Sequence, residues 1–379
     1  MRIFLSFIVV IFGLLGGFYY FITQDYYVRS ISKDKTPIIF EVSSGESFIE
    51  IARNLELKGL IDNQHLFNLV AKLKNLRSKV KAGEYQLTPS MTPKEILQVL
   101  ISGKSILHTF TVSEGLNIYE VGLAYEKQGY GRKDLFLEAC FDKELLKRIL
   151  GEELYSCEGY LFPETYNIDK KTSASQLVEI MLKMFVKKYT ESTQDLNLVG
   201  WTRHQIVTLA SIIEKETGAK EERPIISSVF HNRLKKRMKL QTDPTVLYGI
   251  LDQTKSYRAN ITKKDLTTPT PFNTYTNEGL PFGPVSNPGV EAVRAVFNPA
   301  ETSYLFFVSK NDGTHVFSER YEDHSKSVTQ FQIDKKAREG KSWRDLSDKK
   351  EDAVISISKE KKSGKDKTSA TTKNKKTKK

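Results

Sequence analysis

Cysteine and histidine are scarce in this chain, with 2 and 6 among 379 residues. Cys140 and Cys157 lie 17 positions apart, which is neither a metal-binding nor a dithiol redox spacing. Outside the cytoplasm they could pair, and as ordinary thiols they need no partner; the spacing leaves both open. His231, His315 and His324 also lack metal-site spacing, so they read as structural residues and no metal or other cofactor is expected. A basic surface is missing where a nucleic-acid binder would need it. The formal charge is +12, but residues 335–379 hold 17 Lys+Arg against 7 Asp+Glu, and the rest of the chain holds 41 against 39. The body is therefore close to neutral and is not read as a nucleic-acid binder. The basic tail, ending "KEKKSGKDKTSATTKNKKTKK", is too poor in apolar residues to bury a core and is expected to be disordered.

What the chain has in plenty, at its start, is hydrocarbon. "IFLSFIVVIFGLLGGFYYFI", Ile3 to Ile22, carries Ser6 as its one markedly polar side chain. At 1.5 Å per residue the run spans about 30 Å, the thickness of a bilayer core. It is longer than the apolar part of a secretory signal and lacks a convincing small-x-small cleavage site, so it reads as an uncleaved anchor. Tyr19, Tyr20, Tyr26 and Tyr27 border its far end, as interfacial aromatics do. Arg2 lies on one side and Arg29, Lys33 and Lys35 on the other, so loop charge does not set the orientation. An N-terminal anchor ahead of a long body most often exports that body, which would then work without ATP.

After a short linker, "PIIFEV" reads as a strand and "SGESFIEIARNLELKG" as an amphipathic helix closing at Gly59. "NQHLFNLVAKLKN" is a second helix, "KAGEYQLTP" a strand, and "MTPKEILQVLISG" a third helix. Thr92, Pro93 and Glu95 supply the cap, first-turn proline and capping-box carboxylate of that last helix. The segment from Val42 is echoed from Val112 at an offset of 70, with Val, Ser, Gly, Glu and Gly repeated at 42/112, 43/113, 45/115, 50/120 and 59/129. Two related strand-helix units are one reading, and shared turn chemistry is the other.

The stretch "TLASIIEKETG" poses the chemical question, because Glu214 and Glu216 interrupt an apolar helix. Taking about 100° per residue from Val207, the apolar sector is centred near ~220°, with Glu216 at about 180° and Glu214 at about 340°. Glu216 thus falls inside the sector and Glu214 beyond its edge. A desolvated carboxyl stays protonated near neutrality, as a general acid for glycosidic oxygen requires. The same geometry admits a structural pair between Glu216 and Arg223 or Arg233.

"V-x-x-G-E-S-x-x-x-I-A" followed by "x-A-G-x-Y-x-L" resembles a LysM module, a small fold that holds N-acetylglucosamine-containing glycans. "EGYLFPETY", "LASIIEKET", "VFHNRL", "LQTDPTVLYG", "TPFNTY" and "GLPFGPVSNPG" occur together and in order. With them the chain resembles the YceG-like (MltG-type) endolytic murein transglycosylases, from the anchor to about residue 332. Phe272 and Phe282 stand where that family often carries proline or another aromatic.

The resemblance implies an α+β protein. Its parts would be an anchor (1–23), a linker (24–36), a LysM-like αβ domain (37–105), a mixed α/β catalytic domain (106–334) whose central helix carries the acid, and the tail (335–379). A second LysM-like unit would fall at 106–170. The implied reaction cuts peptidoglycan strands within the chain and without water: the MurNAc C6 hydroxyl attacks its own anomeric carbon and leaves a 1,6-anhydro end. One glutamate can make both proton transfers, unlike the paired carboxylates of hydrolases. Lytic transglycosylases commonly place the acid as Glu before Ser or Thr, which fits Glu216-Thr217. Glu214, Gln241, Asp243, Asn273 and Tyr275 become candidate substrate-binding residues. The expected partners are glycan strands, the cytoplasmic (inner) membrane through residues 3–22 and peptidoglycan synthases, with a single-pass topology and the body on the outer face. Two other readings stand beside this one, a lysozyme-like hydrolase using Asp243 as second carboxylate and a non-catalytic peptidoglycan-binding scaffold.

Overall fold

The computed structural model describes residues 2–258 and 260–334. The lysine-rich tail that was expected to be disordered lies outside the described residues. The chain divides into two compact units. The first takes residues up to 111 together with 123–136 and 164–177, and the second takes 112–122, 137–163 and the residues from 178 onward. Segments 123–136 and 164–177, inside the range read as catalytic, thus group with the first unit.

Helix α1 (Arg2–Tyr20) opens the first unit. Phe7–Val28 is long and apolar enough to cross a membrane, and Phe7, Phe12, Leu14, Leu15 and Phe18 are all exposed. Exposed apolar side chains at these positions match a hydrocarbon solvent better than water. The expected linker is not wholly free of the body. Tyr26 and Tyr27 are buried in the core, and the Tyr26 hydroxyl donates to the Asn63 carbonyl at 2.8 Å. Their large apolar rings outweigh their position beside a polar stretch.

Strand β1 (Ile38–Val42) is followed by α2 (Phe48–Leu57), α3 (Gln64–Leu73), β2 (Gly83–Leu87) and α4 (Pro93–Ser102). The caps explain the boundaries. Ser47 with Glu50 and Thr92 with Glu95 form reciprocal capping boxes, and Gly103 ends α4 in the left-handed region. β1 and β2 pair antiparallel, Phe40 opposite Tyr85, and both rings sink into a core with Ile51, Leu55, Phe67, Leu97 and Leu100. Strands β3 (His108–Thr111) and β4 (Thr165–Ile168) form a second antiparallel pair. Gly45 and Gly115 both have φ of +78° ahead of helices that begin 70 residues apart, at Phe48 and Ile118. The echo in sequence is thus also an echo of local conformation.

The second unit is largely helical. It shares α5 (Ile118–Lys127) and α6 (Lys133–Cys140) with the first unit and holds α7 (Lys143–Leu150), most of α8 (Ala174–Thr193), and α9 (Arg203–Glu216), α10 (Arg223–Lys235), α11 (Asp243–Thr254), α12 (Lys263–Thr267) and α13 (Val290–Phe297). An antiparallel hairpin of β5 (Phe306–Ser309) and β6 (His315–Ser318) precedes α14 (Tyr321–Val328). Cys140 and Cys157 are joined as a disulfide. α9 is the centre of this unit. Every residue from Ile206 to Ile213 is buried, including Thr208 and Ser211, with α10, α11 and α13 packed around it. The apolar sector read on the wheel therefore understates its burial.

Candidate active site

Two long polar segments are fastened to α9. The loop "GPVSNPG" is held by Ser211, whose hydroxyl accepts from the Val285 amide at 3.0 Å and whose carbonyl accepts from the Ser286 hydroxyl at 3.0 Å. Asn287 continues the seam, donating to the Leu116 carbonyl and accepting from the Leu161 amide. Gly159 makes the close approach feasible: with φ of +86°, a Cβ there would lie 2.6 Å from the Pro284 ring. On the other side "LQTDPT" and "FNTY" are zipped together. Thr274 accepts from the Thr242 amide at 3.0 Å and shares a hydroxyl contact with Thr245 at 2.9 Å.

Glu216 ends α9 at the wall of a cavity of about 800 Å³. Asn117, Lys215, Asp243, Tyr248, Tyr257 and His315 are among the other lining residues, so the cavity is polar with aromatic patches. The Thr242 hydroxyl donates to Glu216 Oε1 at 2.5 Å. Desolvation pushes the Glu216 carboxyl up to about 7, and the nearby Asp243 charge adds to the effect, while the Thr242 bond and the charge of Arg233 oppose it. Arg233 makes no pair with it. Its guanidinium donates to the carbonyls of Leu305 and Leu240 at 2.6 and 2.8 Å. A carboxyl so placed is largely uncharged just below neutrality and can release its proton without breaking an ion pair.

Glu214 is different, and the wheel misplaced it. Its side chain is 5% exposed, and Arg223, 4% exposed, donates to Oε1 at 2.6 Å. The Gly289 amide donates to Oε2 at 3.0 Å. Burial pushes this carboxyl up too, with Gly289 and Arg223 working against it. The structural ion pair anticipated for Glu216 thus belongs to Glu214. Wheel angles see neighbours on one helix, whereas Arg223 and Gly289 arrive from other segments. Glu214 is absent from the residues lining the cavity, and its two oxygens are taken by Arg223 and by the Gly289 amide.

The remaining expected residues separate. Asp243 lines the cavity and accepts from the Tyr275 hydroxyl at 2.7 Å. Gln241 is exposed, has φ of +48°, and lies outside the lining. Asn273 is fully buried, its amide nitrogen donating to the Asp265, Leu266 and Thr268 carbonyls and its oxygen accepting from the Tyr275 amide. It shapes the turn that presents Tyr275 and has no group left for a sugar.

Asn117 and Lys215 on the cavity wall escaped the sequence reading, and so did two residues with sharper roles. Thr242 occupies the N-cap position of α11 but makes no capping bond, because its hydroxyl is turned to Glu216. The one available signal was a Thr just before Asp-Pro at a helix start, which reads as a plain cap. His315, read as structural, lines the cavity; its Nδ1 lies 2.7 Å from Glu222 Oε2, and its amide donates to Oε1 at 2.9 Å. A carboxylate fixed on one ring nitrogen orients the ring and leaves Nε2 for other partners. No signal in sequence joins residues 93 positions apart.

Residues 40–330 match the model of the YceG-like family, and the chain belongs to that family. The endolytic murein transglycosylase of Bacillus subtilis (strain 168) is 34% identical over 325 residues, covering 80% of this chain and 88% of that protein. The endolytic murein transglycosylase of Streptococcus pneumoniae serotype 2 is 29% identical over 358 residues, with 86% of this chain and 64% of that protein covered. Among solved structures, a yceG-like protein from Listeria monocytogenes aligns with a TM-score of 0.50 and 32% identity over 77% of this chain and 99% of that one.

Proposed function

We propose that the chain is a membrane-anchored endolytic murein transglycosylase in which Glu216 is both acid and base. The observation that carries the reading is the Glu216 carboxyl itself, raised to about 7, bonded to a neutral hydroxyl and lining a cavity large enough for several sugars. Family membership and the names of the relatives support the reaction class. Protonated Glu216 donates to the glycosidic oxygen, and the bond from that oxygen to MurNAc C1 breaks. The C6 hydroxyl of the same MurNAc attacks C1, and its proton passes to the Glu216 carboxylate, which restores the acid. No water is consumed, and the new end is a 1,6-anhydro sugar. Asp243 with Tyr275, Asn117, Lys215 and His315 supply donors and acceptors for hydroxyl and N-acetyl groups.

α1 anchors the body on the outer face of the cytoplasmic membrane, where murein lies. There it would cut strands beside the synthases that make them and so end their elongation. Mass spectrometry of glycan strands digested by the wild-type chain and by Glu216→Gln tests the reading. Anhydro ends from the wild type and no cleavage by the variant are expected, whereas undiminished cleavage by the variant sinks the assignment. The Asp243 carboxylate on the same cavity favours one rival, a hydrolase with Asp243 assisting water. Reducing ends in that digest would select it.

A further inference from the structure

A second cavity, of about 630 Å³, lies in the same unit and shares one wall with the first, because Tyr248 lines both. Its sides are aromatic. Phe282 is 55% exposed and Tyr155 45%, although both are large apolar rings that a folded body normally covers. They meet edge-on at 5.6 Å, and Phe272 braces Phe282 at 5.8 Å in the same manner. Phe282 is not a loose tip. Its amide donates to the Pro271 carbonyl at 3.1 Å, it sits between Pro281 and Pro284, and the following residues are pinned to α9 through Ser211. The rim is polar but electrically balanced. Of its three carboxyls, Glu152 pairs with Arg203 at 2.9 Å, Glu153 pairs with Lys147 at 2.8 Å, and burial pushes Glu158 up to about 8; Ser156 and Thr202 are neutral.

We propose that this aromatic cavity is a saccharide subsite that holds sugars of the same glycan strand away from the bond cut at Glu216. The inference rests on the endolytic reading above. A pyranose has an apolar face of axial C–H groups and a rim of hydroxyls, so it matches rigid aromatic walls edged by neutral or balanced polar groups. An enzyme that cuts inside a strand must accommodate chain on both sides of the scissile bond. A second cavity that shares the Tyr248 wall with the first supplies that room. An apolar peptide of a protein partner is the competing occupant, and it predicts no dependence on strand length.

The test compares the full-length chain with Phe282→Ala and Tyr155→Ala on long glycan strands and on a tetrasaccharide. Loss of one stacking wall should lower the ratio of kcat/KM for strands to kcat/KM for the tetrasaccharide about tenfold, mainly through KM. An unchanged ratio in both variants overturns the subsite, as does an equal loss on both substrates. Calorimetric binding of strands to Glu216→Gln and to Glu216→Gln/Phe282→Ala gives a readout independent of cleavage. Weaker binding by the double variant, again about tenfold, is expected, and equal binding overturns the proposal. If the wild type cleaves nothing yet binds strands through Phe282, the acid assignment falls and the subsite stands.

Discussion

Glu214 and Glu216 are two positions apart on α9, yet their surroundings have opposite characters. Around Glu214 the chain closes tightly: a buried guanidinium and a backbone amide take both oxygens, and the carboxylate ties α9 to α10 and to the loop at Gly289. Around Glu216 the chain opens: one neutral hydroxyl bonds the carboxyl, and the rest of its environment is a cavity wall. Burial raises both groups, and what differs is the countercharge. A carboxylate locked to arginine is a structural bolt, because moving its proton means stranding a buried cation. A carboxyl held by a hydroxyl can cycle through both protonation states.

The comparison can be broken by experiment. The largest effect should come from Glu216→Gln, with cleavage falling about a thousandfold or more and thermal stability kept, since loss of a positioned acid and base removes the whole proton pathway. Glu214→Ala should act the other way round. Urea melts should show a loss of about 2–4 kcal/mol, because the buried Arg223 loses its close partner and keeps only the half-exposed Glu114 at 3.6 Å. If instead Glu214→Ala melts like the wild type and loses only activity, the two residues have been assigned in reverse.

The pH profile sharpens the contrast. The active form of Glu216 is protonated, so kcat/KM should decline as pH rises through about 7, the value to which burial pushes this group. Thr242→Val removes a bond that favours the ionised form and should move this decline to higher pH; Asp243→Asn removes a neighbouring negative charge and should move it lower, each by about one pH unit or less. Movement of both in one direction contradicts the electrostatic account. A last effect concerns stability. A carboxyl raised in the folded state favours folding most fully below the unfolded-state value and loses that contribution as pH climbs. Glu216 at about 7 and Glu158 at about 8 therefore predict a falling Tm between about pH 5 and 8, shallower in Glu216→Gln.

Much of the frame was legible from the sequence. Thr92-Pro93-Glu95 marks its helix start, and the structure has the same cap, first residue and capping box. The strands at "PIIFEV" and "GEYQL" and the helix closing before Gly59 follow from alternation, periodicity and a left-handed glycine. The site was less legible. Asn273 and Asp243 look equally polar in sequence, but one is sealed among carbonyls and the other faces the cavity. Thr242 was hidden by its resemblance to an ordinary cap, and His315 by its distance from Glu222 along the chain.

The sequence alone determined the apolar run at the N terminus, the caps and turns of the first unit and the presence of a Glu-Thr pair on an apolar helix. Each is a short-range property, set by backbone preference and by side chains within a few positions. The tertiary structure alone decided which glutamate carries a countercharge. Arg223, Gly289, Thr242 and Asp243 lie 9, 75, 26 and 27 positions from the carboxylates they act upon. The proton affinity of a carboxyl depends on charge, donors and solvent within a few ångströms, and folding brings those groups there from distant parts of the chain.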